Sequence, residues 1–63
     1  MFFFVINLYK GNYSVQGVYK SKDAAQKRCD AIQGGQTSVF GPLEKDNPED
    51  AIRRFREEEL KSL

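Results

Sequence analysis

The chain has 63 residues, of which 10 are Lys or Arg and 9 are Asp or Glu, with no His, no Trp and a single Cys. This length has room for one domain, and a domain of about 60 residues buries only about 60% of its unfolded surface. One cysteine cannot close an internal disulfide, and without His it cannot build the usual zinc site. The absence of His also excludes Ser–His and Cys–His catalytic pairs. We therefore expect a non-enzymatic protein with no cofactor or metal, stabilised by a well-packed core or by association.

The charge and hydropathy indicate a globular domain. The net charge is +1, and 40% of the residues are hydrophobic while 30% are charged. Dedicated nucleic-acid modules are usually clearly basic, so this balance lowers the expectation of that role. The apolar residues 2–6 lack the positive leading segment and cleavage site of a signal peptide and are too short for a membrane span. We expect a cytoplasmic protein without membrane contact.

The first two predicted elements form a β-hairpin. Phe, Val, Ile and Tyr dominate residues 2–10, which predicts a strand. A turn containing Gly11 leads into a second strand over residues 13–20. Gly17 lies inside this second strand, where it indicates a β-bulge or a close backbone contact.

A helix is predicted over residues 22–33. Ser21 is a suitable N-cap, and the glycines at 34–35 are typical of a helix end. Helical spacing brings three apolar side chains into one stripe, namely Ala25, Cys29 and Ile32. Because Cys29 belongs to that stripe, we expect an inert core thiol rather than a nucleophile.

The last two predicted elements are a strand over residues 37–43 and a helix that begins at Pro48. Pro42 places the strand at a sheet edge or marks its end, because proline cannot donate to a neighbouring strand. Asn47 is an N-cap, followed by proline and two acidic residues. The apolar stripe of this helix meets Glu59 after two turns. Residues 57–63 therefore fray, project into solvent, or offer apolar side chains to a partner.

The element order predicts an α+β fold in a single domain over residues 1–63. The sheet is three-stranded and mostly antiparallel, in the order β-β-α-β-α, with both helices on one face. Because strand side chains alternate between faces, the first strand has two apolar sides. We assign one side to the core, namely Phe2, Phe4, Ile6 and Leu8. The other side would lie on an open face with Tyr13 or Phe40 as neighbours, and comprises Phe3, Val5 and Tyr9.

Three interpretations of that open face remain. Loops or the helical tail cover it, or it binds a protein, or its aromatic rings stack on nucleic acid. Protein contact is favoured, in an inhibitor or adaptor or through a homodimer, and no small-molecule substrate is expected. The interface residues would be Phe3, Val5, Tyr9, Ile52, Leu60 and Leu63. The alternative is binding of single strands, double-stranded RNA or RNA–DNA hybrid through Lys10, Tyr13, Tyr19, Lys20, Lys22 and Phe40.

Short motifs over most of the chain carry a family resemblance. They are Gly17-Val18-Tyr19, Ser21, Gly34-Gly35, Phe40, Asp50-Ala51 and Phe55. With the element order, they resemble the viroplasmin family, which includes the N-terminal hybrid-binding module of ribonuclease H. The resemblance implies this α+β architecture and binding of an RNA–DNA or double-stranded RNA backbone. Lys22 stands where the family has tryptophan, and residues 37–40 lack the family's lysine. Small viral and phage proteins also share this size and architecture.

Overall fold

The computed structural model describes residues 1–62. It confirms the α+β fold and the element order β-β-α-β-α. The elements are β1 (Phe2–Tyr9), β2 (Asn12–Tyr19), α1 (Lys22–Ala31), β3 (Gln36–Leu43) and α2 (Pro48–Lys61). The predicted bounds are correct to within one or two residues at each end of the described elements.

The three strands form one antiparallel sheet with β1 in the middle. The strand order is β2-β1-β3, and β1 pairs antiparallel with both neighbours. β1 is the most apolar strand, and it takes the central position, where a neighbouring strand lies along each of its edges. β3 carries Pro42 and lies at an edge, as its proline predicts.

The two helices lie on opposite faces of the sheet, so the prediction that both cover one face was wrong. Residues 4–7 of β1 are all buried, and successive strand residues point to opposite faces, so both faces are covered. Ala51 of α2 packs in the cluster of Phe4 and Ile6, whereas Ala25 of α1 is buried outside that cluster. No Cα of α1 lies within 8 Å of a Cα of α2. The physical reason is that β1 is apolar on both sides, and each side needs its own cover.

The core beneath α2 contains aromatic rings in edge-to-face contact. The ring of Phe55 meets Phe40 at 5.4 Å between centroids and Tyr13 at 6.1 Å, both edge to face. Phe40 pairs across the sheet with Phe4, and Tyr13 pairs with Leu8, so these rings share the face of α2. The expectation that Tyr13 or Phe40 would neighbour Val5 was therefore wrong, because they point to the other side of the sheet.

A β-bulge interrupts the hairpin next to Gly17, which confirms the sequence prediction. Val5 pairs with Gly17 and Ile6 pairs with Val15, which leaves one extra residue in β2. The ring of Tyr19 lies against Gly17, where a Cβ atom would stand 2.6 Å from the ring carbon Cε2. A side chain at position 17 would therefore have to displace the tyrosine ring from its place over the strand.

Both helices begin at their predicted caps. The hydroxyl of Ser21 accepts a hydrogen bond from the Ala24 amide at 3.3 Å, and the side chain of Asn47 accepts one from the Asp50 amide at 3.1 Å. α1 ends at Ala31, two residues earlier than predicted, because the next residue is already extended. α2 runs without interruption to Lys61. These caps supply partners for amide groups that the first helical turn leaves unbonded.

Asp50 links the start of α2 to two arginines one turn along. Its carboxylate accepts a hydrogen bond from Arg53 and forms an ion pair with Nε of Arg54 at 3.0 Å. The bond from Arg53 is the main reason that the pKa of Asp50 lies below its ordinary value. Because the folded-state pKa is the lower one, the ionised carboxylate stabilises the fold above the unfolded-state pKa. That stability is lost as the pH falls through the folded-state pKa.

The variant Asp50→Asn is therefore expected to be less stable than wild type at pH 7 and to approach wild-type stability in acid. Urea unfolding of both proteins between pH 2 and pH 7, followed by circular dichroism, measures the difference. A stability difference that is the same at every pH would show that the charge of Asp50 does not contribute.

Candidate protein interface

The five predicted interface residues that the structure describes do not form one surface. Val5 is fully buried, so its assignment to an open face was wrong, because α1 covers that side of the sheet. Phe3 is half-buried on the same side. Tyr9 is 51% exposed and is the last residue of β1. Leu63 lies outside the described residues.

Ile52 and Leu60 are brought together on the outer side of α2. They line a shallow, mainly apolar groove of about 350 Å³, which we call the α2 groove. Its lining is Glu49, Ile52, Arg53, Arg56, Glu57 and Leu60. Leu60 is 69% exposed, and Ile52 is half-buried. The α2 groove therefore unites the two predicted helical residues that the structure describes.

The position of the α2 groove follows from helical spacing. Ala51 and Phe55, four residues apart, face the sheet, and Ala51 is fully buried. Ile52, Arg56 and Leu60 repeat at the same spacing, one residue further along the helix, so they form the neighbouring stripe. α2 therefore places one stripe in the core and the next beside it at the surface.

Contacts with β2 hold the second half of α2 in place. The Tyr13 hydroxyl donates a hydrogen bond to the Glu59 carboxylate at 2.9 Å, and this bond is the main reason that the pKa of Tyr13 is raised. The Arg56 guanidinium lies over the Tyr13 ring, 5.5 Å from its centroid. Glu59, which ends the apolar stripe in the sequence, therefore has a polar partner on the sheet. These contacts draw Arg56 towards β2 and leave Leu60 uncovered.

A second concave surface, on the α1 side of the sheet, was missed from the sequence. It has a volume of about 460 Å³ and contains no Asp, Glu, Lys or Arg in its lining, which is Asn7, Tyr9, Asn12, Ser14, Gln16, Ile32, Gln33 and Gly34. Ten helical residues span about 15 Å, whereas eight strand residues span about 26 Å, so α1 cannot cover the whole sheet. In the sequence, this surface is indicated by polar residues at the alternate positions 12, 14 and 16 of β2.

Asn7 anchors the connection between α1 and β3 beside this second concave surface. Its side-chain nitrogen donates to the Gly34 carbonyl at 3.0 Å and to the Thr37 hydroxyl at 2.8 Å. Asn7 is only 6% exposed, so these bonds satisfy an amide that burial would otherwise destabilise. The amide therefore joins the central strand to the connection between α1 and β3.

The residues predicted for nucleic-acid binding are spread over three places. Tyr13 and Phe40 pack on Phe55 beneath α2. Lys10 lies at the hairpin turn, where its ammonium group is 5.3 Å from the centre of the Tyr9 ring. At the opposite end of β2, roughly 26 Å away by strand rise, are Tyr19, Lys20 and Lys22. The structure does not bring these six residues into a single surface.

Cys29 is half-buried on α1, and burial is the main reason that the pKa of its thiol is raised. A raised pKa favours the unreactive thiol over the thiolate, in accordance with the predicted inert role. Within residues 1–62, no three His, Cys, Asp or Glu side chains are grouped so that they could hold a metal ion. Among these residues there is also no helix long and apolar enough to cross a membrane.

Comparison with known proteins gives no match. No family model matches the chain, and no match is found among curated proteins or among solved structures. The resemblance to the viroplasmin family stays a prediction, and the function is argued from the surfaces described above.

Proposed function

We propose that the protein is a small non-enzymatic binding module that docks another protein through the α2 groove. The observation that carries the proposal is the shared position of Ile52 and Leu60, with Leu60 69% exposed in an otherwise charged helix surface. A large apolar side chain exposed to this degree gains free energy when a partner removes it from water. An inhibitor or adaptor acts through such a contact without chemistry of its own.

The shape and charge of the α2 groove favour a helical partner. Four charged side chains surround its apolar residues: the acidic Glu49 and Glu57 and the basic Arg53 and Arg56. Amphipathic helices place an apolar stripe in such grooves while charges of both signs pair along the edges. The mixed signs also disfavour a nucleic-acid backbone, because Glu49 and Glu57 would repel its phosphates.

Replacing Leu60 with serine is expected to weaken protein binding by about tenfold or more, because burial of a leucine contributes roughly 1.5–3 kcal/mol. The immobilised protein would be offered nuclease-treated cell extract, and captured proteins would be quantified by mass spectrometry. Thermal unfolding of the variant should match wild type, because Leu60 is exposed in the isolated fold.

Tyr9→Ser is the matched control, since Tyr9 is also exposed but lies on the opposite face of the sheet from α2. It should leave capture unchanged. Equal capture by wild type and Leu60→Ser, or loss of capture in the control alone, would contradict the assignment of the α2 groove as the binding surface.

A further inference from the structure

One edge of α2 carries a regular alternation of charge. Glu49, Arg53, Glu57 and Lys61 follow one another at intervals of four residues, with signs negative, positive, negative, positive. All four side chains are exposed. Glu49, Arg53 and Glu57 line the α2 groove, and Lys61 borders the adjoining hollow with Arg53 and Glu57. We call these four residues the charged row.

The charged row is complementary to itself when it is reversed. In an antiparallel pair of helices, Glu49 would face Lys61 of the other helix, and Arg53 would face Glu57. Each of the four cross-helix pairs then joins opposite charges. A parallel pair with the rows in the same register brings like charges together, so the pattern selects the antiparallel direction.

We propose, on the basis of the proposed function, that the partner in the α2 groove is a second copy of this chain, bound through antiparallel packing of the two α2 helices. The apolar floor fits this arrangement, because Ile52 and Leu60 are two turns apart. Reversal about residue 55, the midpoint of the charged row, places Ile52 of one copy level with residue 58 of the other, within one helical turn of its Leu60. Arg56 lies between them in sequence; it lines the groove, and its guanidinium lies over the Tyr13 ring.

The contact is small, so the dimer forms at high protein concentration. α2 has 14 residues and spans about 21 Å, which limits the area that two such helices bury. Stable interfaces bury about 1,200–2,000 Å² in total, and smaller ones are weak or transient. Because the charged row is at the surface, salt weakens the association.

Charge reversal in the charged row tests this pairing. Arg53→Glu alone and Glu57→Arg alone each place like charges opposite one another twice in the dimer. Each is expected to weaken self-association about tenfold in sedimentation equilibrium at low salt. An equimolar mixture of the two variants restores opposite charges at both contacts, so it should associate as strongly as wild type. The double variant Arg53→Glu/Glu57→Arg should also self-associate.

Arg54→Glu is the matched control. Arg54, like Arg53, pairs with Asp50 within α2, but it lies outside the charged row. This variant should dimerise as wild type does. A wild-type protein that is monomeric at all concentrations, or a mixture that fails to associate, overturns the pairing. If the monomer still captures a different protein in a Leu60-dependent way, the proposed function stands and only self-association fails.

Discussion

Replacing Phe4 with alanine is expected to unfold a large fraction of the protein at room temperature. Phe4 is fully buried at the centre of the middle strand and packs with Ile6 and Ala51 beneath α2. Loss of a buried phenylalanine costs about 3–5 kcal/mol, because transfer free energy is lost and a cavity remains. A domain of this size has a total stability of roughly 3–9 kcal/mol. One substitution therefore removes much of the stability of the fold.

Phe3→Ala is the control for this prediction. The two residues are neighbours in β1 and chemically identical, but Phe3 is only half-buried on the face of α1. Urea unfolding followed by circular dichroism should give a clearly smaller loss for Phe3→Ala than for Phe4→Ala. Equal losses would mean that the core beneath α2 does not dominate the stability.

The second large effect is expected at Gly35, in the connection between α1 and β3. Its φ is +71°, and a Cβ atom would lie 2.5 Å from the carbonyl oxygen of Leu8. A left-handed conformation costs a non-glycine residue about 1–2 kcal/mol. Crowding against fixed backbone adds about 1–3 kcal/mol. Gly35→Ala should therefore lose about 2–5 kcal/mol of stability.

Gly11→Ala separates the two causes. Gly11 has a similar φ of +80°, but an added Cβ would meet no atom within 4 Å. This variant should lose only the conformational part, about 1–2 kcal/mol. Thermal and urea unfolding of both variants provide the comparison. If Gly11→Ala is as destabilising as Gly35→Ala, the close approach to Leu8 is not the cause.

The α2 groove arises because the apolar stripe that α2 packs in the core ends after two turns. Ala51 and Phe55 complete the core in two turns, after which Glu59 bonds to Tyr13 instead of entering it. Leu60 follows directly after Glu59 and is largely exposed in the isolated fold. The end of the core stripe therefore leaves Leu60 exposed, which is the observation behind the proposed binding surface.

Local chemistry was sufficient to predict the elements of this fold. The caps at Ser21 and Asn47, the bulge at Gly17 and the edge position of Pro42 all depend on residues close in the chain, and all are confirmed. Each depends on a preference of backbone conformation or hydrogen bonding that operates over a few residues. The same local spacing predicted Ile52 and Leu60 as apolar residues that the helix could offer to a partner.

Only the tertiary structure decided which face of the sheet each helix covers. Alternation in β1 shows that both of its sides are apolar, but it does not show what lies against them. The structure places α1 over Val5, the connection between α1 and β3 against Asn7, and α2 over Phe4, so the predicted open face is covered in its middle. Burial depends on contacts between residues distant in the chain, which no local pattern encodes. The short chain therefore covers the middle of its central strand on both sides, and an apolar groove stays exposed on α2.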